Sequence, residues 1–150
     1  MSSEHDKIDS QKVIASLNTI LELELAGVVR YLHYSLMVFG HARIPIIGWM
    51  REQAAESLTH AALAGEEVTS LGQAVSLGIG ELVGSHHGSV DEMMQEMVTH
   101  EKRGVQHYEA LLDLVEGRSV SLEEYARQMI RNEKLHIAEI EKMLRRRGDA

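Results

Sequence analysis

The links between its helical stretches constrain this chain more than any other feature. Apolar residues recur at helical spacing over four long segments, and the links between them run short, long, short. The first segment extends from about Ser10 to Phe39 and stops at Gly40, a residue suited to a left-handed cap. The second begins near Pro45, where a missing N–H is harmless, and runs to about Leu71 with Gly72 as its stop. The third opens at Ser89 with Glu92 three residues on, a capping box, and ends near Gly117. The fourth opens at Ser121, again with Glu124 three residues on, and runs to about Arg147. The links from Gly40 to Ile44 and from Gly117 to Val120 are short enough to force antiparallel hairpins. The middle link, "GQAVSLGIGELVGSHHG", is long, rich in glycine and able to travel from one end of a bundle to the other. The predicted fold is therefore all-α: an up-down-down-up four-helix bundle with a long crossover between helices 2 and 3. Residues 10–147 form one domain and residues 1–9 a polar N-terminal tail.

Composition agrees with helices. Aromatics make up 4% of the 150 residues and there is one proline, whereas Met, Leu, Ala, Glu and His are plentiful. A formal charge of -8 disfavours a nucleic-acid partner, because phosphates would be repelled. The absence of cysteine excludes disulfides, thiolate catalysis, cysteine-ligated zinc and iron–sulfur clusters. No run is long enough to span a membrane, and the polar N-terminus lacks the apolar core of a signal peptide, so a cytoplasmic location is expected.

The two hairpins repeat one another. At a constant offset of 77 residues, Glu24 meets Glu101, Tyr31 meets Tyr108, Gly40 meets Gly117, Pro45 meets Leu122 and Glu56 meets Glu133. Two related halves facing each other are expected.

The core-facing stripes carry polar residues at mid-helix. Helix 1 reads Leu17, Leu21, Glu24, Val28, Tyr31, Ser35, Val38, and helix 2 reads Trp49, Gln53, Glu56, His60, Leu63, Glu67, Leu71. Helix 3 reads Met94, Met97, Glu101, Gly104, Tyr108, Leu111, Val115, and helix 4 reads Leu122, Tyr125, Met129, Glu133, His136, Ile140, Met143. In an antiparallel bundle these mid-helix positions converge, bringing four carboxylates and two imidazoles to one depth. Four like charges cannot all stay ionised there without a counter-charge, and no Lys or Arg lies on the stripes. Bound metal ions answer this economically. An oxygen-rich set with one imidazole per metal suits iron or manganese, with zinc able to occupy it. Read singly, a Glu-x-x-His on a helix is a surface pair or a satisfied core histidine, and Tyr31 and Tyr108 are core residues with one hydrogen bond. The methionines at 93, 94, 97, 129 and 143 read as packing filler, His86 and His87 as exposed, and His33, His100 and His107 as flank or surface. The strength lies in the whole set.

That set resembles the ferritin-like di-iron superfamily, most closely the bacterioferritins, over about Leu17 to Leu144. In this class one Glu comes from each of two helices and a Glu-x-x-His from each of the other two. "LNTILELELAGVVRYLHY" resembles the first helix, with Glu24 as ligand. "VDEMMQEMVTHEKRG" resembles the third, with Glu101, and "IRNEKLHIAEIE" the fourth, with Glu133 and His136. The resemblance implies two iron ions, manganese or zinc being alternatives, held by Glu24, Glu56, His60, Glu101, Glu133 and His136. Glu56 and Glu133 would bridge while Glu24 and Glu101 take terminal places, or the reverse. Tyr31 and Tyr108 would hydrogen-bond a ligand carboxylate or donate one electron. The implied activity is ferroxidase-type oxidation of Fe(II) by dioxygen or peroxide, with iron binding and storage as its setting.

Three departures qualify the implication. In "ESLTHA", Thr59 stands where the family places histidine after Glu56, so His60 at i+4 is the expected ligand, with Glu52 or Glu67 as substitutes. Ser57 and Leu58 follow Glu56 where bacterioferritins carry a haem-binding methionine, so no haem is expected. The sequence ends "MLRRRGDA" without the short fifth helix that helps build the family's cages, so a homo-oligomer of at least two chains is expected, a dimer or another assembly being as open as a closed storage shell. Two further readings stand beside the first: a di-metal peroxidase, catalase or oxygenase, and a metal-free helical assembly module.

Overall fold

In the computed structural model residues 7–82 and 88–146 are described, and His86 and His87 lie outside them. The order is α1 (Ser10–Met37), α2 (Arg43–Ser70), α3 (Val90–Val115) and α4 (Val120–Leu144). α1 packs on α2, α3 on α4, and the hairpins meet through α1 and α3, giving the up-down-down-up bundle.

The punctuation follows local chemistry. Asp9 caps α1 through Lys12 N, and Ser89 caps α3 through Glu92 N. α4 starts two residues earlier than expected. Its cap is the buried Ser119, which accepts from Leu122 N at 3.3 Å, and Ser121 lies inside the first turn. α2 likewise begins at Arg43, placing Pro45 in the first turn, where N–H groups have no helical partner. Gly40, Gly72 and Gly117 all adopt positive φ beyond helix ends.

The crossover lies along α1. Ser76 N donates to Asn18 Oδ1 at 2.9 Å, and Gly80 N donates to Glu22 O at 2.7 Å. A Cβ at Gly80 would stand 2.9 Å from that carbonyl, so only glycine lets the strap come this close.

Two apolar clusters fill the bundle. One gathers Val13, Leu17, Ile20, Val68, Leu111 and Val115 with Ile8, so the core reaches back before α1. The other gathers Tyr31, Tyr34, Val38, Met50, Met97 and Ile140. Met93, Met94 and Met129 are buried as filler, but Met143 is 42% exposed.

The stripes on α1 and α3 face inward as read, but that on α2 is rotated. Its buried face is Met50, Gln53, Ser57, His60, Ala61, Ala64, Gly65 and Val68, while Leu58 and Leu63 are exposed. Half of that face, Ser57, Ala61, Ala64 and Gly65, is small, so apolar bulk points to the wrong phase. Burial on α2 and α4 therefore matches at an offset of 76: Met50 with Ala126, Gln53 with Met129, Ser57 with Glu133, His60 with His136, Ala64 with Ile140.

Candidate metal centre

Glu24, Glu101, Glu133 and His60 are all buried at mid-bundle, and His136 is largely buried. His60 Nδ1 lies 3.1 Å from Glu133 Oε1 and 3.6 Å from Glu24 Oε2. His136 Nδ1 lies 3.7 Å from Glu101 Oε1. Donor atoms of Glu24, His60 and Glu133 fall within 4.8 Å of one another, and so do those of Glu101, Glu133 and His136. Glu133 belongs to both groups and joins them.

The tyrosines cross between the halves. Tyr31 on α1 donates to Glu101 on α3 at 2.5 Å, and Tyr108 on α3 donates to Glu24 on α1 at 3.3 Å. Each phenol thus orients the carboxylate supplied by the opposite hairpin. Tyr31 also stacks obliquely near the His136 ring, with centroids 6.2 Å apart, and Trp49 approaches the same ring at 6.1 Å.

The protonation states show how the site manages its charge. Burial pushes the Glu101 carboxyl well above its usual range, and the adjoining Glu133 raises it further. Burial likewise raises Glu24. Burial opposes a charge on His60, but hydrogen bonding to Glu133 and Glu24 outweighs it and lifts the imidazole to about 10. Without metal, burial thus favours the protonated form of Glu101, and the carboxylates of Glu133 and Glu24 favour the protonated form of His60.

Two buried atoms of this centre nonetheless have no partner, Glu133 Oε2 and His136 Nε2. An unpaired buried polar atom costs about 1–3 kcal/mol. Residues that could hold two metal ions are thus Glu24, His60 and Glu133 on one side, and Glu101, His136 and Glu133 on the other. Oxygen-rich groups with one imidazole each suit a hard or borderline divalent ion.

Glu56 stands apart from both groups. Its side chain is 51% exposed, 3.7 Å from His60 Nε2, on the lip of a cleft between α2 and α4. This cleft, of about 380 Å³, is lined by Trp49, Gln53, Glu56, Asn132, Leu135 and His136 among others. Glu52 is exposed and Glu67 half-buried, and neither joins the groups. Thr59 is exposed and bonds back to Ala55 O. His33 is exposed and His107 partly buried. His100, read from sequence as flank or surface, is buried at 8% exposure. Burial pushes its imidazole down to about 4, helped by Arg30 and Arg103. Spacing hid it because it lies one residue before Glu101, facing α1 rather than solvent.

The family profile described as a ferritin-like domain matches residues 14–147. The chain belongs to the ferritin-like family. Among solved structures, this ferritin-like chain is similar to a "ferritin like, diiron-carboxylate" protein from Bacillus anthracis str. Ames. Identity is 20%, the TM-score 0.84, and 97% of this chain and 100% of the other are covered. It is also similar to a dodecameric thioferritin, a bacterioferritin-related protein from Bacteroides fragilis. There the identity is 19%, the TM-score 0.82, and coverage 94% and 89%. A search of the curated proteins finds no match. The ferritin-like bundle thus carries a carboxylate and histidine cluster that could bind metal, and no helix among the described residues is long and apolar enough to cross a membrane.

Proposed function

We propose that this ferritin-like chain is a di-metal carboxylate protein, di-iron in its working form, that oxidises Fe(II) with dioxygen or peroxide. The observation that carries the reading is Glu133. It is 2% exposed, shared by two donor groups, and leaves one carboxylate oxygen unpartnered. Glu24 with His60 would hold one iron and Glu101 with His136 the other, Glu133 serving both. Bound iron supplies one-electron chemistry with oxygen that no side chain provides. The chain fixes the ligands, excludes water with the two apolar clusters, and holds protons at His60 and Glu101 until metal displaces them. Tyr31 and Tyr108 orient Glu101 and Glu24. The α2–α4 cleft gives Fe(II) and a small oxidant a way to His136, with Glu56 on its lip to attract cations.

The Bacillus anthracis neighbour is itself described as a diiron-carboxylate protein, which supports this assignment of the metal pair. A homo-oligomer is part of the proposal. Val29, Leu32 and Leu36 expose an apolar row on α1, Phe39 is 75% exposed just beyond it, and the Bacteroides fragilis relative is described as dodecameric. Aerobic Fe(II) addition followed by metal analysis tests the function: two irons per chain and a ferric absorbance rise are expected. Trace metal only, with no absorbance change, would remove the proposal.

A further inference from the structure

The two histidines of the centre turn the same ring nitrogen to the acids. Nδ1 of His60 faces Glu133 and Glu24, and Nδ1 of His136 lies 3.7 Å from Glu101 Oε1. Nε2 is the far nitrogen of each ring. For His60 it lies 3.7 Å from Glu56 Oε1, but His136 Nε2 is buried with no partner among the described residues. A ring that gives Nδ1 to a metal carries its proton on Nε2, and that N–H calls for an acceptor.

A residue across the cleft has the complementary defect. Gln53 on α2 is 7% exposed, and its Oε1 is also buried without a partner among the described residues. Gln53 and His136 line the same α2–α4 cleft. Trp49, one turn before Gln53, brings its ring centroid to 6.1 Å from that of His136. The other neighbours leave Nε2 without an acceptor. Trp49 can only donate, and the Tyr31 hydroxyl sits at Glu101, on the Nδ1 side of the ring. Glu56 lies by His60, Glu139 pairs with Lys142, and Asn132 is exposed. An amide oxygen only accepts. It therefore bonds the neutral His136 ring in one tautomer alone, the one that leaves the Nδ1 lone pair free.

Resting on the di-metal reading above, we propose that Gln53 is the positioning residue for His136: its Oε1 accepts the Nε2–H and so commits Nδ1 to the metal position of Glu101 and Glu133. One bond then serves two buried atoms that otherwise have no partner. The cleft, of about 380 Å³, leaves the Gln53 side chain room to turn toward the ring.

The test uses the full chain and Zn(II), read by titration calorimetry and by proton–nitrogen NMR of the imidazole rings. With two zinc ions bound, the unmodified chain should show a slowly exchanging Nε2–H on His136, assigned by its loss in His136→Gln. Gln53→Leu should lose that signal and hold one of the two zinc ions roughly ten- to a hundredfold more weakly, the usual effect of removing such a partner, with the other unchanged. Gln53→Glu keeps an acceptor and should keep both the signal and the affinity. Circular dichroism checks that the variants remain helical. Two bound zinc ions without a slowly exchanging His136 Nε2–H in the unmodified chain overturn the role of Gln53 alone. Unchanged signal and affinities in Gln53→Leu do the same. Weaker zinc with the signal retained makes Gln53 a metal ligand instead, and so also overturns the positioning role. Fewer than two zinc ions in the unmodified chain overturns the di-metal reading and the role of Gln53 together.

Discussion

Helices α2 and α4 occupy equivalent places in the bundle and present different chemistry. α4 buries Glu133 and, three residues on, largely buries His136, between Met129 and Ile140. α2 buries Ser57 and His60 at the same spacing, flanked by Ala61, Ala64 and Gly65, and turns Glu56 half outward. One carboxylate can therefore serve both donor groups if the opposite helix gives up its own. The contrast also explains why α4 tolerates a buried acid: His60 from α2 sits 3.1 Å from Glu133.

Removing each glutamate in turn puts the most strain on this contrast. Glu133→Ala should abolish the ferric absorbance rise and drop metal uptake below one ion per chain, because both groups lose their shared member. Glu56→Ala should keep two ions and slow only the rate of uptake through the cleft. Equal damage from both variants, measured by metal analysis with helicity monitored, would restore Glu56 as a ligand.

A second effect is the pH dependence of apoprotein stability. His60 titrates at about 10 in the folded chain, above the 6.5 of an unfolded histidine. Its contribution is full below 6.5 and fades as pH rises toward 10. Glu24 and Glu101 are raised above 4.5, so their contribution too is greatest at low pH and falls as they ionise. Melting temperature without metal should therefore fall from weakly acidic to alkaline pH. With Zn(II) present the gain in melting temperature should grow with pH, since binding releases these protons. A flat apoprotein profile would refute the assignment, and His60→Gln should flatten it.

Smaller effects separate the two glycines. Gly104→Ala meets only ordinary contact at 3.7 Å and should stabilise the chain by up to about 1 kcal/mol through helix propensity. Gly27→Ala should lose that gain or reverse it, because its Cβ presses on Ser57 and His100 at 3.0 Å. Denaturant midpoints decide this, and equal stabilisation of both variants would show the Ser57 side to be as loose as the other. The slightest change concerns His100. Held near 4 by burial and the neighbouring Arg30 and Arg103, it stays neutral in the fold, so its contribution is present above 6.5 and lost as pH falls toward 4. The stability difference between His100→Gln and the unmodified chain should shrink over that window.

Much of this was legible in sequence. Glu24, Glu101, Glu133 and His136 lie inward where their stripes place them, because bulky neighbours such as Leu17, Leu21, Met97, Leu111 and Ile140 make the helical phase unmistakable. Glu56 did not follow. The inward face of α2 carries Ser57, Ala61, Ala64 and Gly65, whose small side chains give apolar periodicity little to register. His100 was hidden for a related reason: only the approach of Gly27 on α1 makes room for an imidazole on the flank of α3.

Caps, glycines and hydrophobic period are local properties of a chain. They were enough to specify four helices, their links, the up-down-down-up path and three of the four acids expected at the centre. The rotation of α2, the outward turn of Glu56, the crossed pairing of Tyr31 with Glu101 and Tyr108 with Glu24, and the approach of Ser57 and His100 to Gly27 emerge only in the folded bundle. Those outcomes depend on which neighbour has bulk and which has none. That is settled by packing between helices, and no single helix encodes it.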